Sequence, residues 1–155
     1  MANNIIIKQV DNTQQCKYCN KMLEELIVYE SQFDQLINLN YKIDEMYEHT
    51  LGKDDCVIFI ATEKNNPVGY VMAYKQKDNK AYNEKFVTIM NLFVKEKYRH
   101  LGIGTKLLDT VEKWAKRLYC NCVIELDCFV DNITSINFYS KLNYKPIRVK
   151  MRKKI

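Results

Sequence analysis

The sequence predicts an α/β (α+β) fold with a mixed central β-sheet of about six to seven strands and about four flanking helices. Short runs of β-branched and other apolar residues indicate the strands. Longer segments with apolar residues three and four positions apart indicate the helices. A strand–helix–strand unit in the second half predicts a right-handed parallel crossover, so the sheet is expected to contain both strand directions.

The elements follow one another with short connections, which predicts one domain over residues 1–155. Strands are expected at residues 5–10, 56–61, 68–74, 86–94, 122–129 and 145–151. Helices are expected at residues 13–29, 31–47, 104–118 and 132–142. The second strand is apolar throughout, which is typical of a strand covered on both faces.

Composition narrows the class of protein. The chain is 47% hydrophobic and 28% charged, as is ordinary for a globular protein. No apolar run approaches the roughly 20 residues of a membrane span, and the N-terminal residues do not resemble a secretory signal. The net charge of +5 is scattered without an aromatic–basic stripe. We therefore expect a cytoplasmic protein without a nucleic-acid or membrane partner, and homodimer formation is left open.

The six cysteines do not have the spacing of a zinc site. Cys16 and Cys19 form a CxxC pair, but Cys120 and Cys122 form a CxC pair at the start of a predicted strand. Successive side chains alternate between the faces of a strand, so this spacing does not match the usual zinc knuckle. Reduced cysteines acting as small apolar side chains, with no bound metal, are expected.

A glycine turn joins the fourth predicted strand to the helix that follows it. In this turn Arg99 precedes Gly102 and Gly104 with the spacing Arg-x-x-Gly-x-Gly. Glycine allows a close backbone approach, and the N–H groups of a helix N-terminus bind phosphate. The order of Thr and Lys after Gly104 is the reverse of a P-loop, and Leu107 replaces the third glycine of the dinucleotide motif.

Two segments together resemble a known family. The glycine turn is similar to the acetyl-CoA motif Gln/Arg-x-x-Gly-x-Gly/Ala of the GNAT superfamily of N-acetyltransferases. Residues 132–144 resemble its second motif, Asn-x-x-Ala/Ser-x-x-Phe/Leu-Tyr-x-Lys/Arg-x-Gly-Phe, with Asn143 and Tyr144 in place of the family's Gly and Phe. Asparagine tolerates the left-handed conformation that ends many helices, so we expect the motif to be preserved.

The resemblance implies an acetyl-CoA-dependent N-acetyltransferase without a metal. It would act on a small-molecule or peptide primary amine, by direct attack in a ternary complex. A non-catalytic acetyl-CoA-binding sensor or interaction domain is the alternative. The implied catalytic residues are Asp127 as general base and Tyr139 as the acid that protonates the leaving thiolate. Many relatives carry a Glu on the strand before the glycine turn. Asn91 stands there in this chain, and an asparagine cannot act as a base.

The same alignment implies the binding residues. The cofactor-binding residues would be Leu92, Phe93, Val94, Arg99, His100, Leu101, Gly102, Ile103, Gly104, Thr105 and Asn132. Substrate contacts are expected from Asn91, Tyr29, Phe33 and Glu125, the last on the same strand face as Asp127. In the superfamily the first two helices and nearby loops form the acceptor side. Here this region contains Glu30, Asp34 and further acidic and aromatic residues, which suit a cationic amine.

Overall fold

A computed structural model describes residues 4–155 of the chain. It contains five strands and three α-helices, and β2 to β4 follow one another without an α-helix between them. The strands are β1 (Ile5–Gln9), β2 (Cys56–Glu63), β3 (Asn66–Lys75), β4 (Phe86–Val94) and β5 (Val123–Leu126). The helices are α1 (Thr13–Glu30), α2 (Ile103–Leu118) and α3 (Ile133–Lys141). None of the helices described is long and apolar enough to cross a membrane.

The five strands form one open mixed sheet in the order β1-β2-β3-β4-β5. The first four strands are antiparallel, and β5 lies parallel to β4 after the α2 crossover, as the sequence predicts. Helix α1 covers one face of the sheet through Cys16, Met22 and Leu26. Helix α2 covers the other face through an apolar stripe that includes Leu107 and Val111. Both faces of β2 are therefore buried, as predicted.

The helix predicted for residues 31–47 is wrong. The segment contains only turns and bends, and a single 3₁₀ turn follows it at Glu48–Thr50. The side chains of Asp34 and Asn38 accept hydrogen bonds from backbone N–H groups two residues further on, at 3.0 Å each. Such local bonds compete with the helical backbone pattern, which explains why the apolar spacing alone misled the prediction.

Two predicted strands also differ from the structure. Strand β5 ends at Leu126 rather than continuing to residue 129. Residues 145–151 form no strand, because no neighbouring strand within residues 4–155 pairs with them. The described sheet therefore has five strands and not six or seven, with three α-helices rather than four.

Strand β4 leaves part of its edge open, and this opening positions the site. Its pairing with β5 covers only Phe86 to Ile89. Its register with β3 shifts between Ile89 and Asn91, so Met90 is an extra, bulged residue. Residues 90–94 consequently have no strand partner on the β5 side. Unpaired backbone groups beside a bulge can receive an extended ligand as an added strand does.

Candidate active site

The glycine turn opens α2 with its backbone N–H groups unpaired. Gly102 adopts a left-handed φ of 74°, and the first helical hydrogen bond runs from Lys106 N–H to Gly102 O at 3.1 Å. The N–H groups of residues 102–105 therefore make no backbone hydrogen bond in the described chain. Such donors, together with the helix dipole, can bind a phosphate group. The fit to acetyl-CoA rests on these donors and on the open β4 edge beside them.

The predicted cofactor residues do not all offer their side chains. Ile103 is buried in the core, so only its N–H group is available to a ligand. The Arg99 Nε donates to the Val94 carbonyl at 3.0 Å, and its guanidinium lies 4.8 Å from the ring centroid of Tyr29. Arg99 therefore holds the turn against β4 and α1. His100 and Leu101 are exposed at the start of the turn, and His100 has a left-handed φ of 63°.

Helix α3 packs directly against the first turn of α2 and brings the second motif to the glycine turn. A Cβ atom on Gly104 would lie 3.1 Å from Phe138 Cζ, so the missing side chain admits this approach. The Asn132 Oδ1 accepts from the Ser135 N–H at 3.1 Å and caps α3. Asn132 is buried. Its side-chain oxygen is used in this cap, so its side-chain amide nitrogen is the polar group left free in the described chain. Helix α3 ends at Lys141, and Asn143 just beyond it has a left-handed φ of 66°, the conformation expected of it.

Tyr139 lies on α3 with its hydroxyl available to a ligand. The hydroxyl makes no hydrogen bond within residues 4–155. No side-chain polar atom of that range is both buried and unpaired, so the unpaired Tyr139 oxygen must be in contact with solvent. Burial of the ring raises the pKa of Tyr139 above its ordinary value of 10.0. The group therefore stays protonated at neutral pH and can donate a proton.

The carboxylates predicted on one face of β5 occupy different positions. Asp127 lies beyond the end of the strand and is exposed. Glu125 is half-buried on β5 and accepts a hydrogen bond from the Gln76 Nε2, which also donates to the Thr88 Oγ1. Because Thr88 pairs with Glu125 in the closed part of the β4–β5 ladder, Glu125 lies away from the open β4 edge. Of these two carboxylates, Asp127 is the one that makes no side-chain hydrogen bond in the described chain.

Asn91 belongs to a hydrogen-bonded cluster on the α1 side of the sheet. Its Oδ1 accepts from the Tyr47 hydroxyl at 2.7 Å, and the Tyr47 and Tyr70 hydroxyls lie 2.9 Å apart. Tyr47 and Tyr70 are buried, and burial raises the pKa of each phenol. Tyr47 lies at the end of the helix predicted for residues 31–47, and that prediction gave no indication of this cluster. The polar Asn91 in an apolar strand was the available signal, because such a residue needs a buried partner.

An aromatic wall, formed by Tyr29, Phe33 and Phe129, spans the two sides of the opening. Tyr29 packs edge-on against Phe33 with ring centroids 5.6 Å apart, and Phe33 stacks on Phe129 at 6.2 Å. The Arg99 guanidinium lies over the Tyr29 ring, so the wall continues to the glycine turn. The end of α1 thus reaches both the turn and the segment after β5. This is where the sequence predicted substrate contacts from Tyr29 and Phe33.

Glu30 is a further carboxylate near the wall, at the last position of α1. It is half-buried, and this burial raises the pKa of its carboxyl. Burial is the main cause of the raised pKa values of Tyr70, Cys128 and Tyr139, and the charge of Glu30 adds to each. Glu30 therefore lies within electrostatic range of three other elements. The signal in the sequence was its charge directly after Tyr29 and three positions before Phe33.

The cysteines of α1 face the core. Cys16 and Cys19 are buried, and burial raises the pKa of Cys16 to about 11 and that of Cys19 further. Both remain protonated thiols at neutral pH and pack as small apolar groups, as predicted. Cys128, beside Asp127, has a raised pKa because it is partly buried, which disfavours a nucleophilic thiolate.

Comparisons with known proteins agree with this arrangement. An N-alpha-acetyltransferase of Sulfurisphaera tokodaii is 31% identical over 128 residues, covering 75% of this chain and 76% of that protein. An N-alpha-acetyltransferase of Saccharolobus solfataricus is 33% identical over 131 residues, covering 75% of this chain and 76% of that protein.

Solved structures share the fold at low sequence identity. A mutant of the BH1408 protein from Bacillus halodurans superposes with a TM-score of 0.83 at 16% identity, covering 97% of this chain and 99% of that one. The aminoglycoside N-acetyltransferase AAC(6')-Iy in complex with CoA gives a TM-score of 0.73 at 19% identity, with coverages of 97% and 99%. The family model of the acetyltransferase (GNAT) family matches residues 20–144. The chain is an acetyltransferase and belongs to the acetyltransferase (GNAT) family.

Proposed function

We propose that the chain transfers the acetyl group of acetyl-CoA to a primary amine by direct attack in a ternary complex. Three features support this proposal: the unpaired N–H groups of residues 102–105, the open edge of β4, and the unpaired hydroxyl of Tyr139, whose neighbour Phe138 packs against Gly104 of the glycine turn. The first would bind the pyrophosphate and the second the pantetheine chain. The third would lie near the thioester sulfur.

The reaction needs two proton transfers, and we assign them to Asp127 and Tyr139. The acceptor nitrogen must be unprotonated to attack the thioester carbonyl, and the exposed Asp127 takes its proton through water. As the carbon–sulfur bond breaks, the Tyr139 hydroxyl donates its proton to the leaving thiolate. Its pKa is raised above 10.0 by burial, so the proton is present at neutral pH. Holding both substrates in one opening supplies proximity.

The acceptor class follows from the opening and from the relatives. Glu30 supplies a half-buried negative charge next to the aromatic wall, which favours a cationic amine. The relatives that are more than 30% identical are N-alpha-acetyltransferases, whereas the aminoglycoside enzymes are below 20% identity. We therefore place the α-amine of a peptide first among the acceptors and a polycationic small molecule second.

A panel of amines tests the proposed function. CoA release would be measured with a peptide bearing a free N-terminus, the same peptide with a blocked N-terminus and an internal lysine, spermidine, and an aminoglycoside. We expect turnover with the free N-terminus and little with the blocked peptide. Acetyl-CoA binding without turnover on any amine would contradict the proposal and favour a non-catalytic acetyl-CoA-binding module.

The pH dependence tests the role of Glu30. Its raised pKa means that the carboxylate is protonated at a higher pH than an ordinary glutamate, so the KM for a cationic amine should rise as pH falls through this value. Glu30→Gln should remove this acid-side dependence and raise the amine KM about fivefold at neutral pH, the magnitude of a partly exposed ion pair.

Glu25→Gln is the matched control, because Glu25 is an exposed carboxylate on the same helix. It should leave the amine KM and its pH dependence unchanged. If Glu30→Gln keeps the acid-side rise in KM, another group binds the ammonium.

A further inference from the structure

One ion pair joins the last residues of the chain to the segment that follows α1. The Arg152 Nη1 donates to both carboxylate oxygens of Asp34, at 3.0 and 2.9 Å, across 118 positions of sequence. Within residues 4–155, the other pair between a basic and an acidic side chain is Lys85–Asp78, which lies within one loop. The Arg152–Asp34 pair is thus the long-range ion pair of the described chain.

Asp34 is held more firmly than a surface carboxylate. Its side chain is 14% exposed, and its Oδ1 also accepts from the Leu36 N–H at 3.0 Å. The Leu36 N–H, followed by the Arg152 guanidinium, lowers the pKa of Asp34 below its ordinary value. The carboxylate therefore stays ionised at neutral pH and acts as an anchor for the turn that it caps.

The residue before Asp34 is part of the aromatic wall. Phe33 stacks on Phe129 from the segment after β5, and its N–H donates to the Glu30 carbonyl at 2.9 Å. A tether at Asp34 therefore restricts the position of Phe33 and, through it, the end of α1 that carries Glu30. Through Asp34 and Phe33, the last residues of the chain therefore influence the acceptor side, although they do not lie at the glycine turn.

We propose that Arg152 is a positioning residue for acceptor binding: the C-terminal segment ties Asp34 down and so holds Phe33 in the aromatic wall. This inference rests on the proposed function for its kinetic part. The pair leaves the N–H groups of the glycine turn untouched. Loss of Arg152 should therefore weaken amine binding and spare acetyl-CoA binding.

The test compares Arg152→Ala with Arg148→Ala. Arg148 is an exposed arginine in the same segment and makes no ion pair within residues 4–155, so its loss changes the net charge equally. We expect Arg152→Ala to raise the amine KM about fivefold, with kcat and the Kd of acetyl-CoA unchanged. Arg148→Ala should match the wild type, and Arg152→Lys should restore part of the lost amine affinity.

Hydrogen exchange gives a readout that needs no turnover. The Leu36 and Ile37 amides bond to the Asp34 side chain and carbonyl, so both should exchange faster in Arg152→Ala than in Arg148→Ala. Unchanged exchange would overturn the tether. Faster exchange with an unchanged amine KM would overturn its role in acceptor binding. Failure of the wild type to acetylate any amine would instead overturn the proposed function, and exchange would still decide whether the tether exists.

Discussion

Tyr139→Phe is expected to lower kcat about 100-fold, the usual size of a lost general acid, while the Kd of acetyl-CoA stays within about twofold. The variant removes a hydroxyl that is open to solvent, so no partner in the described chain is left unpaired. The ring contacts with Phe138 and Tyr144 remain. Steady-state kinetics with a saturating amine, together with calorimetric titration of acetyl-CoA, separates the two quantities.

Tyr144→Phe is the matched control for that experiment. Tyr144 packs edge-on against Tyr139 with ring centroids 5.8 Å apart, and burial raises its pKa to about 12. It is therefore another protonated tyrosine in the same cluster and should tolerate the loss of its hydroxyl. Because the pKa of Tyr139 is also raised, its ionisation should cause no loss of rate below about pH 10. Wild-type kcat in Tyr139→Phe would exclude it as the acid.

Gly102→Val should weaken acetyl-CoA binding by at least about 100-fold, which corresponds to the loss of about two charge-assisted hydrogen bonds. Gly102 has a φ of 74°, which costs a branched residue on the order of 1–2 kcal/mol, so the turn is expected to relax and misdirect its N–H groups. A Cβ atom there meets no atom within 4 Å, so the fold should persist. Titration calorimetry measures the affinity and urea unfolding the stability.

Gly52→Val carries the same backbone strain at a distant position. Gly52 has a φ of 73° and also has open space around its missing Cβ, but it lies in the loop before β2. The free energy of unfolding should fall by a similar amount in both variants, and only Gly102→Val should bind acetyl-CoA more weakly. Equal affinities in the two variants would mean that the glycine turn does not bind the pyrophosphate.

The local features of the site were predictable from the sequence because each depends on a few neighbouring residues. The glycine turn, the Asn132 cap and the left-handed Asn143 are of this kind. Each combines a backbone requirement with a residue type that meets it at low cost. The order of strands around α2 was predictable for a similar reason, since crossover connections have few alternatives.

The acceptor side was not predictable, because distant contacts determine it. Apolar spacing predicted a helix over residues 31–47, but local turns at Asp34 and Asn38 prevail. Tyr47 is placed by bonds from its N–H to the Asn20 Oδ1 and from its hydroxyl to Asn91. A single sequence shows which side chains are polar and gives no indication of the partner they reach 27 or 44 positions away.

The extra residue at Met90 changes which alternate residues of β4 face each side of the sheet. Before it, Val87 and Ile89 face the α2 layer; after it, Leu92 faces that layer and Phe93 faces α1. In an uninterrupted strand, positions 87, 89, 91 and 93 would share one face. If Met90 were kept but the strand were regular, the Asn91 amide would turn into the apolar α2 core and Leu92 would point at the tyrosine hydroxyls. Deleting Met90 would remove the bulge and leave both side chains on their present faces. The bulge thus constrains the protein as strictly as the identity of its residues, since it decides which side chains of β4 face each helix.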